Sequence, residues 1–215
     1  AVPGARPLAL ARDGRILVSA LDETLVLSDP LGSGGMTKIH FPVGVSSEGP
    51  RRAAIATGGG RLAVATADDA LWLVEPESPA PVVRLAEPAT AVEKLALSFD
   101  GRFLAVVATK RLRLYDCDQR RLLWDKGEEY RAYAVEFDPS RSVLIAGAVD
   151  AIWFLDIETG EEREKWSRYE IKTQGLGPPS DLALVPGGPL LARLFTGGDL
   201  WLMDTATREV RASIG

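Results

Sequence analysis

One short segment recurs five times in this sequence, and each copy closes on an acidic residue. The copies read TLVLSD ending at Asp29, ALWLVE at Glu75, RLRLYD at Asp116, AIWFLD at Asp156 and DLWLMD at Asp204, at intervals of 46, 41, 40 and 48 residues. An upstream segment recurs with them: DGRILVSA from Asp13, GGRLAVAT from Gly59 and DGRFLAVV from Asp100, with SRSVLIAG from Ser140 and GGPLLARL from Gly187 as looser copies. Apolar residues alternate, or run for four to six positions, which is too short for a helix and right for a buried strand. The most regular unit, Leu95 to Trp124, reads as four strands (LALSF, FLAVVA, LRLYD, RLLW) joined by turns at Asp100-Gly101, Thr109-Lys110 and Cys117-Asp118-Gln119. A period of this length with four strands per unit is the pattern of a β-propeller blade. No single blade buries both faces of its sheet, so neighbouring copies must stack.

The expected architecture is therefore all-β: a five-bladed β-propeller of four-stranded antiparallel blades, one domain over residues 1–215. The blades fall near residues 7–45, 50–88, 92–128, 130–170 and 179–215. Inner strands are expected over 7–11, 53–57, 95–99, 134–137 and 181–185, and second strands over 16–20, 62–66, 103–108, 143–148 and 190–194. Outer strands are expected over 37–41, 81–85, 121–124, 163–166 and 209–213. No helix is expected, because Gly or Pro punctuates nearly every ten residues and no capped helical face is present. The 46% apolar content supplies a large core. The leading residues AVPGAR hold a proline and no alternation, so each blade is expected to be contiguous in sequence. The seam between first and last blades would then be held by side chains alone, a place for a partner or second copy to bridge.

A net charge of −5 and a pI near 5.1 argue against nucleic acid, whose phosphates demand a basic face, and weakly against anionic membranes. Apolar runs of about six residues fall far short of the ~20 that a spanning helix needs. The N-terminus lacks the basic and apolar segments of a signal peptide. One cysteine, Cys117, excludes an intrachain disulfide and reads as incidental. Together these point to the cytoplasm.

With these pieces placed, the chain resembles the WD40-repeat family over nearly its whole length. Ser19 to Asp29 is similar to that family's turn and third strand: a Ser, an Asp soon after, a Thr, then alternating apolar residues ending in Asp. Thr66–Glu75 and Ala148–Asp156 are similar, with Asp68 and Asp150 at the turn. The departures are plain. No Gly-His dipeptide precedes a blade, and His40 is the only histidine, so the family's Asp–His–Ser–Trp network cannot form. The residue before the closing acid is Ser28, Val74, Tyr115, Leu155 or Met203 instead of Trp, while Trp72, Trp153 and Trp201 sit two positions earlier. A second resemblance runs alongside. Tyr115 to Trp124 and Leu155-Asp-Ile-Glu-Thr-Gly160 are similar to the quinoprotein-type propeller repeat, in which an Asp, a Thr-Gly and a following Trp recur in each blade.

The resemblance implies a non-catalytic scaffold for protein–protein or protein–peptide interaction, without cofactor or metal. Residues at the end carrying the blade-to-blade connections are the candidate contacts: Arg51, Arg52, Lys110, Arg111, Tyr130, Arg131, Tyr133, Arg168 and Tyr169. Tyr and Arg are the residue types most enriched at binding hot spots. Tyr130, Arg131 and Tyr133, with Arg168 and Tyr169 one blade on, form the densest group. An alternative is a small-ligand or carbohydrate-processing propeller whose channel site uses Glu136 and Asp181, since acid–base hydrolysis needs two carboxylates. Arg15, Arg61, Arg102 and Arg141 recur at the start of the second strand, and each is expected to pair with the acid closing the third. Trp72, Trp153 and Trp201 are expected to pack between blades.

Overall fold

The computed structural model describes residues 4–10, 16–21, 24–29, 36–40, 50–55, 60–66, 70–76, 82–86, 91–109, 111–127, 130–138, 140–167, 169–170, 178–185 and 188–215; of residues 50–55 and 86 it describes the backbone only. The strands are β1 (Arg6–Leu10), β2 (Leu17–Leu21), β3 (Thr24–Ser28), β4 (Met36–His40), β5 (Pro50–Ile55), β6 (Leu62–Thr66), β7 (Leu71–Val74), β8 (Val82–Ala86), β9 (Val92–Leu97) and β10 (Phe103–Ala108). They continue with β11 (Arg111–Asp116), β12 (Arg121–Lys126), β13 (Ala134–Asp138), β14 (Val143–Gly147), β15 (Ala151–Asp156), β16 (Glu162–Ser167), β17 (Pro179–Leu184), β18 (Leu190–Phe195), β19 (Leu200–Asp204) and β20 (Val210–Ile214). Each consecutive four form one sheet in sequence order, giving five four-stranded antiparallel sheets. This is the blade architecture expected of a five-bladed propeller, each blade contiguous in sequence.

Second and third strands fall within a residue or two of their expected spans. Inner strands start earlier than expected: β5 at Pro50 and β17 at Pro179. Proline is tolerated as the first residue of a strand, where no ladder N–H is needed, so it marks the entry rather than a break.

The chain divides into two compact parts, residues 1–104 with 115–122 and residues 105–114 with 123–215. In the first, β1 lies against β5 and β5 against β9. Val18, Leu25, Ile39, Leu62, Val64 and Val74 form its buried cluster, with Leu8, Leu27 and Val82 packed on it. In the second, β13 lies against β17. Its cluster joins Val143, Ile145, Ile152, Phe154 and Trp166 of the fourth sheet to Leu182, Leu191 and Met203 of the fifth. The approach is close: a Cβ on Gly147 would lie 3.0 Å from Leu182 Cδ1. Burying each such Leu, Ile or Phe stabilises the fold by about 1.5–3 kcal/mol, so sheet-on-sheet packing holds each part together.

The recurring acid has a structural task that its position alone did not reveal. Asp156 Oδ1 accepts from the backbone N–H of Glu158 at 2.9 Å and Thr159 at 2.8 Å, and from Thr159 Oγ1 at 3.2 Å. Asp204 Oδ1 likewise accepts from the N–H of Ala206 and Thr207, and Asp116 Oδ1 from that of Gln119. Four residues after each acid the backbone turns left-handed, at Arg120 (φ 52°), Gly160 (φ 70°) and Arg208 (φ 63°). In these three copies the acid therefore caps the turn from third to outer strand. These amides hold the Asp156 carboxyl below its ordinary range, and bring Asp204 down to about 2, with Arg211 assisting.

Only part of the expected arginine pairing appears. Arg61 Nε lies 2.7 Å from Glu75 Oε1, and Arg102 Nε 3.5 Å from Asp116 Oδ2. Arg15 lies outside the described residues. Arg141 departs: its Nη2 bonds Glu164 Oε2 on the outer strand at 2.7 Å. Asp156 is taken by Arg163, and Asp204 by Arg211, each seven residues on. The capped turn folds the outer strand back so that this position meets the acid first.

Candidate functional site

The segment between β12 and β13 turns sharply. Ala132 is fully buried, Tyr130 is half-buried, and Arg131 between them is exposed with φ 39°. A left-handed residue with a side chain costs on the order of 1 kcal/mol and is held only where its neighbours are fixed. Ala132 is one anchor; the other is Tyr130, whose ring lies 4.8 Å from that of Trp153 at 55°. Tyr133 continues the β13–β14 ladder through its N–H to Gly147 O at 2.9 Å.

Two lysines complete the group. Trp153 pairs with Lys165 across β15 and β16, and Lys165 Nζ lies 3.9 Å from the Trp153 ring centroid. Lys126, the last residue of β12, places Nζ 5.5 Å from the Tyr130 centroid. Such contacts stabilise by about 0.5–2 kcal/mol each, according to how far water is excluded. The Trp153 indole N–H is buried and has no acceptor. The site thus consists of two rings, two ammonium groups and an exposed guanidinium on the fourth sheet and the strand end leading to it.

The other expected contact residues are not all gathered here. Arg111 is drawn into an ion pair: its Nη2 lies 3.0 Å from Asp125 Oδ2, a carboxylate it shares with Arg113. Tyr169 is 74% exposed. Lys110 and Arg168 lie outside the described residues, as do the side chains of Arg51 and Arg52, whose backbone is in β5. Lys126, Lys165 and Trp153, which the structure adds to this group, are not among the residues expected from the sequence. The available signal was register, because aligning the third and outer strands of the fourth copy sets Lys165 opposite Trp153.

The tryptophans divide differently from expectation. Trp72, Trp153 and Trp201 are all half-buried. Trp201 packs against the second part's core and 5.7 Å from Phe195. Trp72 donates to Thr66 Oγ1 at 3.3 Å. The fully buried one is Trp166 on β16, 4.6 Å from Phe154. Trp124 and Gly160, quoted for the quinoprotein resemblance, meet: the indole N–H donates to Ile157 O at 2.9 Å, and a Cβ on Gly160 would lie 2.9 Å from Trp124 Cδ2.

Two further constellations bear on chemistry. A pocket of about 170 Å³ is lined by Arg61, Leu73, Glu75, Val83, Cys117, Asp118 and Arg120. Arg61 crosses it, bonding Glu75 and, through Nη1, Asp118 Oδ1 at 2.5 Å; that bond raises the guanidinium pKa. Cys117 is 2% exposed, and burial pushes its thiol up to about 12, so it is no thiolate nucleophile at neutral pH. Glu136 and Asp181 each accept the N–H of the next residue, Phe137 and Leu182, at 3.0 Å. His40 Nδ1 lies 3.3 Å from Thr24 Oγ1 at an exposed position. Among the described residues no cluster of three metal-ligating side chains occurs, and no helix is long and apolar enough to cross a membrane.

Comparison with known proteins gives the fold. No family profile and no curated protein sequence matches the chain. Among solved structures 1476 chains match, and a fold so widely used does not by itself select an activity. One of them belongs to "Crystal Structure of Mitotic Checkpoint Complex"; it superposes with a TM-score of 0.74 at 14% identity. The match covers 96% of this chain and 65% of that one, so this chain spans less than two thirds of that neighbour's length. With five blades of four antiparallel strands, the chain has a WD40-like β-propeller fold.

Proposed function

We propose that residues 1–215 form one propeller domain that acts as a non-catalytic scaffold, binding a protein or peptide through the face around Tyr130, Arg131 and Tyr133. The observation that carries this reading is the group of Tyr130, Trp153, Lys126 and Lys165 beside the strained, exposed Arg131. Trp, Tyr and Arg, here Trp153, Tyr130 and Arg131, are the residue types enriched at protein-binding hot spots. Backbone strain at an exposed arginine fits a residue held for contact rather than for stability. The buried, high-pKa thiol and the amide-bound carboxylates fit a chain without nucleophilic or acid–base machinery. The neighbour's printed title names a complex, in keeping with a scaffold role. The acidic net charge fits a partner that is neither nucleic acid nor an anionic membrane.

The test is a double substitution, Arg131→Ala with Tyr133→Ala. Proteins captured by the wild-type chain are identified, the leading one is purified, and its affinity is measured for both forms by calorimetry. Loss of desolvated Arg and Tyr anchors is expected to weaken binding by ~2 kcal/mol or more. Unchanged affinity with an unchanged melting curve would remove this face from consideration.

A further inference from the structure

Among the described residues, no carboxylate pairs with the cations around Trp153. Elsewhere in the same part of the chain carboxylates are shared out to cations: Asp125 takes both Arg111 and Arg113, and Glu164 takes both Arg141 and Arg208. Among the described residues Lys126, Arg131 and Lys165 make no ion pair. Both ammonium groups lie over rings instead, Lys165 on Trp153 and Lys126 on Tyr130. An ammonium carries three N–H donors, and a ring face occupies one side of it, leaving donors for an acceptor. The site is thus rich in donors and cations and backed by aromatic surface.

Resting on the binding-face reading above, we infer that the partner presents an acidic peptide segment, with carboxylates that meet Lys126, Lys165 and Arg131 and an apolar residue that packs on Tyr130. Nucleic acid is the less fitting polyanion. Its affinity grows with the number of phosphates neutralised, and a chain of net charge −5 repels it beyond this small patch. A short acidic segment needs only the local cations, and the attraction steers its approach.

The probe is a fluorescein-labelled peptide of glutamates flanking one leucine, read by anisotropy against the whole chain. A lysine counterpart and an oligothymidylate serve as competitors. Saturable binding of the glutamate peptide is expected, with affinity falling as salt rises from about 50 to 300 mM. Lys126→Gln with Lys165→Gln is expected to weaken it about tenfold or more, with the chain still folded by circular dichroism at the assay temperature. If that pair melts early, Lys165→Arg, which keeps charge and stacking, must retain binding while Lys165→Glu loses it. No binding of the glutamate peptide near 1 mM, equal binding by the substituted chain, or tighter binding of the oligothymidylate would overturn the inference. Failure here, with the Arg131 and Tyr133 substitutions still weakening a captured protein, would discard the acidic partner and keep the face. Failure of both discards the face.

Discussion

Arg193 is fully buried in the second part of the chain, and among the described residues its charge meets no carboxylate. Its Nη2 donates to Ala148 O at 2.6 Å, and its guanidinium carbon lies 4.8 Å from the Phe195 centroid. Nε and Nη1 have no acceptor. Desolvation lowers its pKa from 12.5 to about 10. At 1.36 kcal/mol per pH unit, that corresponds to roughly 3 kcal/mol of destabilisation at neutral pH. Two orphaned buried donors at about 1–3 kcal/mol each lead to a similar figure. Arg193→Met keeps the unbranched stem against Leu182 and Trp201, its cross-strand neighbours, and removes the charge. It also forfeits the bond to Ala148 O and the contact with Phe195, together about 1–2 kcal/mol. The net expectation is a variant more stable by about 1–2 kcal/mol, read from urea unfolding at constant m.

The pH dependence checks the cause. A guanidinium with a lowered folded-state pKa carries its full destabilising effect below pH 10. Above that, the folded form releases its proton while the unfolded form still holds one, so stability from this residue rises with pH. The advantage of Arg193→Met should therefore be constant from pH 6 to 9 and shrink above about 10. A variant less stable than wild type by more than about 1 kcal/mol would refute the reasoning, because it would mean that the guanidinium is paired in solution.

Two further expectations concern fastening. Gly160→Ala forces a side chain onto a residue at φ 70° and against Trp124 at 2.9 Å, and should cost about 2–3 kcal/mol in urea unfolding; a cost under 0.5 would show that Trp124 moves freely. At Glu164 burial works to raise the carboxyl pKa, but bonds from Trp166 and Arg141 and the nearby Arg208 outweigh it and hold it below 4.5. A lowered carboxylate pKa contributes stability above the unfolded value that is lost as pH falls through the folded one, so Glu164→Gln should flatten the acid limb of the stability profile below about pH 4.5. An acid limb identical to wild type would assign that loss of stability to other groups.

The five blades were legible because period-2 alternation and a recurring acid at near-constant spacing are local features. What covers each face was not. In EREKWS of β16 the charged residues suggest a solvated outer strand, yet Glu164 and Trp166 share one face and Trp166 is fully buried. In LLARLF of β18 the arginine reads as the exposed register, yet Leu191, Arg193 and Phe195 are the buried set and Leu194 is 38% exposed. Alternation divides a strand into two faces, and which face a neighbour covers is decided by tertiary packing. The arginine pairs failed at Arg141 for a related reason: a capped turn brings a residue seven positions on closer to the acid than the hairpin partner.

Because the closing acid recurs in every copy, it explains what the blades share and says little about what distinguishes them. Distinction is better sought where equivalent positions diverge. Trp72, Trp153 and Trp201 occupy the same place in three third strands, yet each has a different setting. Trp72 gives its N–H to Thr66 and lies beneath Arg84 at 5.9 Å. Trp201 belongs to a core cluster. Trp153 alone of the three joins a tyrosine and a lysine on its ring to a buried N–H that has no acceptor. Packing accounts for Trp201 and an internal bond for Trp72, but neither accounts for Trp153. What sets it apart is the tyrosine and the lysine gathered on its ring. On the binding-face reading proposed above, the recognition surface lies where one blade departs from the repeat, not on the features all five have in common.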